Sequence, residues 1–329
     1  MTQDTPQTSG LAGIDSVLPF HVPALDVRGR AVQLGPMLSS ILDRHDYPEP
    51  VSRLLGEVIV LTVLLGSSLK FDGRFTIQTQ TDGPVSLLVV DFKTPGAVRA
   101  YASFDADAVA KAQAATADSP EDLLGKGILA MTIDQGAHTQ RYQGIVELSG
   151  TSLEEVAQAY FRQSEQIPTH VRIAVSRLLI PDIGGQGSSQ TWQGGGVLVQ
   201  FLPETQERYT VRDLPGGDAP QDADEPQTEE TDEAWVEARI LTETIRDDEL
   251  TDPEISSERL LYRLFHEQGV RVHEASLIED KCSCNREKIL DVLKSLPQDE
   301  LGESWQDGQI ITSCEFCSTV YTVKPGDLE

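Results

Sequence analysis

The chain has 329 residues, 39% hydrophobic and 24% charged, so it can bury a sizeable core, is not disordered throughout, and is long enough for two units. Its formal net charge of −27 repels phosphate backbones and anionic lipid, which makes nucleic acid and membrane surfaces unexpected partners. The polar start MTQDTPQTSG does not read as a signal peptide, and the longest apolar run, Val58 to Leu65, falls far short of the roughly 20 residues that span a bilayer, so the expected location is the cytoplasm.

In chain order, Pro50–Lys70 is long, leucine-rich and apolar, and predicts a buried helix. Three strand patterns follow at Arg74–Gln80, Val85–Phe92 and Ala97–Phe104. Phe75, Ile77 and Thr79 share one face, as do Val98, Ala100, Ala102 and Phe104, and Asp82-Gly83-Pro84 marks a turn. Further strands are expected at Gly127–Asp134, Tyr142–Ser149 and Val197–Leu202. Thr151–Gln166 predicts a helix, because Ser152 followed by Glu155 is a capping box; Glu154 and Glu155 read as a solvated pair complementing the helix dipole. Short strands, tight turns and segregated helices argue for an α+β fold on a mixed or antiparallel sheet, forming an N-terminal body over 1–205. The glycine groups at 184–187 and 194–196 read as turns, since no phosphate-loop or dinucleotide pattern fits.

Residues 213–233 hold nine acidic residues, no Lys or Arg, and three prolines, and predict a disordered connection within 206–233. Next comes an amphipathic helical linker over 234–270. One stripe holds Trp235, Ala238, Leu241 and Ile245, and a tighter one holds Leu260, Leu261, Leu264 and Phe265. Asp252-Pro253 reads as a helix start and Gly269 as a stop. The expected tail, 271–329, has a helix at Asn285–Pro297 and a hairpin at Gly308–Val323.

All four cysteines lie in that tail, as Cys282-Ser283-Cys284 and Cys314-Glu315-Phe316-Cys317, with 29 residues between the pairs. In a reducing compartment such clustering reads as a metal site or a redox device. Four soft thiolates suit tetrahedral zinc, with an iron–sulfur cluster as the alternative. A module this small needs a staple, and a structural zinc is worth about 10–16 kcal/mol at neutral pH. A hairpin knuckle would aim backbone N–H groups at the sulfurs. Thiolates are also what oxidants attack, and disulfides closed within the two short-range pairs would use up all four ligands.

At this point the chain resembles a known family. KCSCNREKILDVLKSL and ITSCEFCSTVYTV in the tail, ERLLYRLFHEQGVRV in the linker, and LLGSSLKFDGRFTIQTQTDGPVSLLVV, LLGKGILAMTID, YQGIVELSG and YFRQSEQIPT in the body are similar to the redox-regulated holdase chaperones of the 33 kDa chaperonin (heat shock protein 33) family. The resemblance implies a non-enzymatic, ATP-independent chaperone of the stress response. It implies one zinc per reduced chain, held by Cys282, Cys284, Cys314 and Cys317 in an inactive state. It implies disulfides Cys282–Cys284 and Cys314–Cys317 on oxidation, with zinc release and unfolding of tail and linker. The expected partners are unfolding client proteins and, when oxidised, a second copy of the chain; the expected switch or client-binding residues are Trp235, Ile245, Leu261, Leu264 and Phe265. Two departures stand out: the long acidic connection, and a polar Asp280-Lys281 before the first cysteine pair.

Two rival readings are weaker. A zinc-ribbon nucleic-acid binder should be basic, whereas residues 281–329 carry a net charge of −4. A thiol–disulfide oxidoreductase would place its Cys-x-x-Cys where a strand meets a helix, and no such context is visible. The six histidines are scattered; His266 and His273, near the linker, read as surface residues.

Overall fold

The computed structural model describes residues 12–69, 72–116, 119–136, 141–149, 152–181, 188–202, 232–297, 301, 305 and 308–328. The expected acidic connection, but for its last two residues, and the 184–187 glycines lie outside these.

The strands are β1 (Ser16–Val22), β2 (Val27–Leu34), β3 (Arg74–Thr81), β4 (Val85–Lys93), β5 (Ala97–Phe104), β6 (Lys126–Asp134), β7 (Tyr142–Ser149), β8 (Thr169–Pro181), β9 (Ser188–Phe201), β10 (Arg271–Val272), β11 (Ser276–Leu277), β12 (Glu279–Asp280), β13 (Ile310–Ser313) and β14 (Val320–Val323). The helices are α1 (Pro36–Leu42), α2 (Glu49–Gly66), α3 (Ala106–Ala114), α4 (Pro120–Leu124), α5 (Leu153–Tyr160), α6 (Glu233–Glu243), α7 (Asp247–Thr251), α8 (Ser257–Phe265) and α9 (Arg286–Ser295).

Two sheets enclose α2. The first runs β10-β1-β2-β9-β8, with β11 also on β1; the second runs β12-β5-β4-β3-β6-β7. All pairings are antiparallel except β12 on β5, so the fold is α+β with mixed sheets, as expected. Fifteen of the 18 residues of α2 are buried, which a helix apolar all round requires, and its Thr62 hydroxyl is satisfied by donating to the Val58 carbonyl at 2.6 Å. Facing it, Ile77, Leu88, Val90, Phe92, Val98 and Ala100 are fully buried. The capping box at Ser152 and Glu155 forms. Glu154, read as solvated, is instead half-buried: it accepts from the Ile173 amide at 2.7 Å and pairs with Arg172, because the helix start lies against β8.

The glycines at 194–196 are mid-strand in β9 rather than in a turn, paired on both sides with β2 and β8. The reason is close approach. A Cβ on Gly194 or Gly196 would stand 2.9 or 2.8 Å from Val60 of α2, and one on Gly195 would stand 2.0 Å from the Leu250 carbonyl of α7.

That second approach marks the outer layer. The far face of the first sheet is covered by α6, α7 and α8, forming a separate core of Leu18, Phe20, Val22, Val197, Val199 and Phe201 with the linker's side chains. Asp232 caps α6, and Ser256, not Asp252, caps α8 by accepting from the Arg259 amide. Asp252 instead ends α7, and its carboxylate accepts from the Glu254 amide, spending the acceptor locally. Gly269, at φ +77°, terminates the helical stretch as expected.

Candidate metal centre

The chain reaches the cysteines along both sheets. β10 and β11 pair with β1, Ile278 is buried in the main core, and β12 lies parallel to β5 with Lys281 N donating to the Val98 carbonyl at 2.9 Å. Asp280, one of the polar residues that departs from an apolar approach, pairs with Arg44 and accepts from Ser40 at 2.8 Å. Cys282 and Cys284 follow at once. Asn285 then caps α9, and Arg286 ties that helix to the β13–β14 hairpin through the Thr322 carbonyl at 2.8 Å and Asp327 at 2.7 Å.

Cys314 and Cys317 occupy the turn of that hairpin. Its loop closes by Ser318 N to Cys314 O at 2.7 Å and Cys314 N to Thr319 O at 2.9 Å, with Ser318 at φ +54°. Burial raises the Cys314 pKa, and the Cys317 and Phe316 amides act against it to lower it. Among the described residues, helix and hairpin share a small apolar core of Leu293, Ile310 and Val323.

The structure brings all four predicted cysteines together: their sulfurs lie within 4.8 Å of one another, with Cys282–Cys314 at 3.7 Å and Cys284–Cys317 at 3.3 Å. Zinc–thiolate bonds of about 2.3 Å in a tetrahedron imply sulfur–sulfur edges of about 3.8 Å, so the donor set and its spacing fit such an ion. The protonation chemistry agrees. Burial pushes the Cys284 thiol up to about 12 and raises Cys314. Burial also opposes ionisation at Cys317, but the Thr319 hydroxyl and amide and the Cys284 and Cys314 thiols outweigh it and draw Cys317 down to about 6. Protein donors thus stabilise one thiolate, and holding all four as thiolates at once would need a cation.

Sequence reasoning missed what seats this centre on the body. The Arg99 guanidinium lies 4.0 Å from the Phe316 ring centroid and 4.0 Å from the Cys282 sulfur. Arg44 Nη1 donates to the Phe316 carbonyl at 3.0 Å, and His45 lies 3.4 Å from it. An aromatic between two cysteines was the one available signal, and it needs the partner strand to be interpreted.

The linker residues singled out from sequence are gathered too. Trp235, Ile245, Leu261, Leu264 and Phe265 are all buried in the core beneath α6–α8, with Trp235 6.1 Å from Phe201 and Phe265 5.9 Å from Phe20 between ring centroids. Polar clasps accompany them. Arg172 donates to the Ile245 carbonyl at 3.3 Å and to Asp247 at 2.8 Å, and the Gln33 amide donates to the Asp252 and Ile255 carbonyls. His266 stacks on Tyr262, and His273 stacks on His21, whose Nδ1 lies 2.8 Å from the His273 Nε2.

An α+β protein whose four-cysteine tail is seated on the same body as its amphipathic linker defines a narrow class, and comparison with known proteins gives it a family. A profile described as Hsp33 protein matches residues 15–324. A 33 kDa chaperonin of Caulobacter vibrioides is 40% identical, with 99% of each chain covered, and one of Photorhabdus laumondii is 36% identical over 95% of this chain and 94% of the other. The crystal structure of the 33 kDa chaperonin of Thermotoga maritima superposes with a TM-score of 0.68 at 21% identity, covering 95% of this chain and 96% of that one. The chain belongs to the Hsp33 family of 33 kDa chaperonins. No helix among the described residues is long and apolar enough to cross a membrane.

Proposed function

We propose that this chain is a redox-regulated, ATP-independent holdase of the cytoplasm, inactive when reduced and active toward unfolding proteins when oxidised. The single observation that carries the reading is the four-sulfur cluster seated beside Arg99 on the strand that also receives β12. One zinc bound by Cys282, Cys284, Cys314 and Cys317 would supply charge compensation and a cross-link for a tail with little core of its own. Disulfides Cys282–Cys284 and Cys314–Cys317 would remove those thiolates, leaving residues 271–329 without their staple. The linker, 234–270, follows. Its helices hold 11, 5 and 9 residues, too short to persist unless docked. Their release uncovers Phe20, Val197, Val199 and Phe201 together with the linker's own apolar faces. Surfaces of that kind bind unfolded chains without nucleotide or sequence specificity and favour pairing of two activated copies, while the net charge of −27 keeps complexes dispersed.

The test combines three readings on one sample. Reduced protein should carry one zinc and four free thiols and should fail to protect a thermally unfolding client. Peroxide-treated protein should lose both the zinc and the thiols and suppress aggregation stoichiometrically. Equal protection by the reduced, zinc-loaded protein would refute the redox reading, and turnover of a small disulfide would favour an oxidoreductase.

A further inference from the structure

A cavity of about 580 Å³ lies at the seam between body and tail, walled on one side by the end of β4, the start of β5 and the loop between them, and on the other by residues 276–283. Its charge runs against the rest of the molecule. Arg74, Lys93, Arg99 and Lys281 line it with Asp91, Glu279 and Cys282; with Cys282 a thiolate, as in the reading above, the local charge is +1 in a chain of −27. Asp91 is committed: it receives Arg99 Nε at 2.7 Å and Nη2 at 2.6 Å, and Arg74 stands 3.7 Å away. Neither the Lys93 nor the Lys281 ammonium has an ion-pair partner among the described residues. Pro95, Ala97 and Leu277 add apolar lining. The volume lies within the usual range for small-molecule sites, about 300–1,000 Å³, and apolar lining with a few charged groups is what such sites present.

We propose that this cavity binds a small organic anion bearing carboxylate or phosphate groups, with Lys93 from the body and Lys281 from the tail as its two charge partners. Because the walls come from both parts, the site exists only while residues 276–283 are seated. Occupancy therefore favours the seated tail: at a hundred times the dissociation constant, the equilibrium for lifting it shifts about 100-fold. The binding site stands on its own geometry, whereas its effect on activation rests on the redox reading above.

The experiment uses reduced, zinc-loaded, full-length protein in 0.15 M chloride, with glutarate and phenyl phosphate as weakly chelating probes. Calorimetry should give one saturable site with Kd below about 1 mM for at least one probe; which probe binds tells carboxylate from phosphate. Both lysines are exposed, so the Lys93→Gln/Lys281→Gln variant should keep its zinc and its circular dichroism but lose at least ten-fold in affinity, and Lys93→Arg/Lys281→Arg should recover it. Amides 276–281 should exchange more slowly with the bound probe in the wild type only. Absence of saturable binding by both probes, or equal affinity in the Gln variant, would overturn the proposal. Client protection by the oxidised protein is read separately, so loss of that activity would refute the holdase reading and leave the binding result standing.

Discussion

At the scale of single residues, His170 carries a pH dependence. It sits on the face of β8 that α6 covers, 8% exposed, and its Nε2 finds no hydrogen-bond partner among the described residues. Burial lowers its pKa to about 4, with Arg172 on its own strand and Arg239 on α6 acting in the same sense and Glu243 on α6 opposing them. In a released chain the group would charge near 6.5, so the released state binds the proton first as pH falls. The stabilisation from keeping His170 neutral is fully present above pH 6.5 and is lost between 6.5 and about 4, roughly 3 kcal/mol at most. In the reduced protein, Trp235 fluorescence should therefore shift toward a solvent-exposed spectrum across that window, and His170→Phe should remove most of the shift. An unchanged titration in that variant would place the pH sensitivity elsewhere.

The same scale shows what could be read early. Cysteines mark a candidate metal or redox site by type and spacing alone, and all four came together as expected. Arg99 and Arg44 look in sequence like any surface arginines; only the fold puts one over Phe316 and the other on its carbonyl. Replacing Phe316 by Ala should leave zinc stoichiometry at one per chain, since no ligand is touched, yet loosen the seat by roughly 1–3 kcal/mol from lost burial and cation–π attraction. Faster amide exchange at 276–281 with zinc retained is the expected result.

At the scale of elements, long and strongly patterned segments were legible: α2, β3 to β7, α9 and the final hairpin fall within a few residues of expectation. In the first sheet β1, β2 and β8 were not, and of β9 only the second half, expected over Val197–Leu202, was. β1 carries Pro19, which argues against a strand, although that proline sits opposite Arg30 in the ladder. β8 is packed on one face against α2 and on the other against the linker, so its apolar residues do not alternate cleanly, and Arg172 reads as solvated until α7 is seen to accept from it. In β9 three glycines imitate a turn. They record two helices approaching one strand from opposite sides, a relation no local pattern contains.

Those glycines give a test of linker docking that leaves every cysteine alone. Gly195→Val places side-chain atoms where the Leu250 carbonyl lies and should lift α7, while Leu264→Glu buries an unpaired charge at a site 3% exposed. Each should release the linker and protect clients from aggregation under full reduction, with zinc retained. A variant that keeps zinc, shows an undocked linker by amide exchange, and still fails to protect would separate undocking from activity.

At the scale of the whole molecule, the architecture separates a cysteine-free body with a continuous two-sheet core from parts that depend on docking. The tail strands β10, β11 and β12 have two residues each and exist by pairing with the edges of the body's sheets. Loss of the proposed metal staple should therefore travel backward through the seam to the linker and stop at the first sheet. Amide hydrogen exchange on the full-length chain, reduced with zinc bound and then fully oxidised, measures this directly. Protection should collapse to near-unfolded rates in 233–328 and remain within a few-fold of the reduced values in α2 and β3 to β6. Retained protection across 233–265 after all four thiols are oxidised would contradict the coupling of cysteine chemistry to linker release.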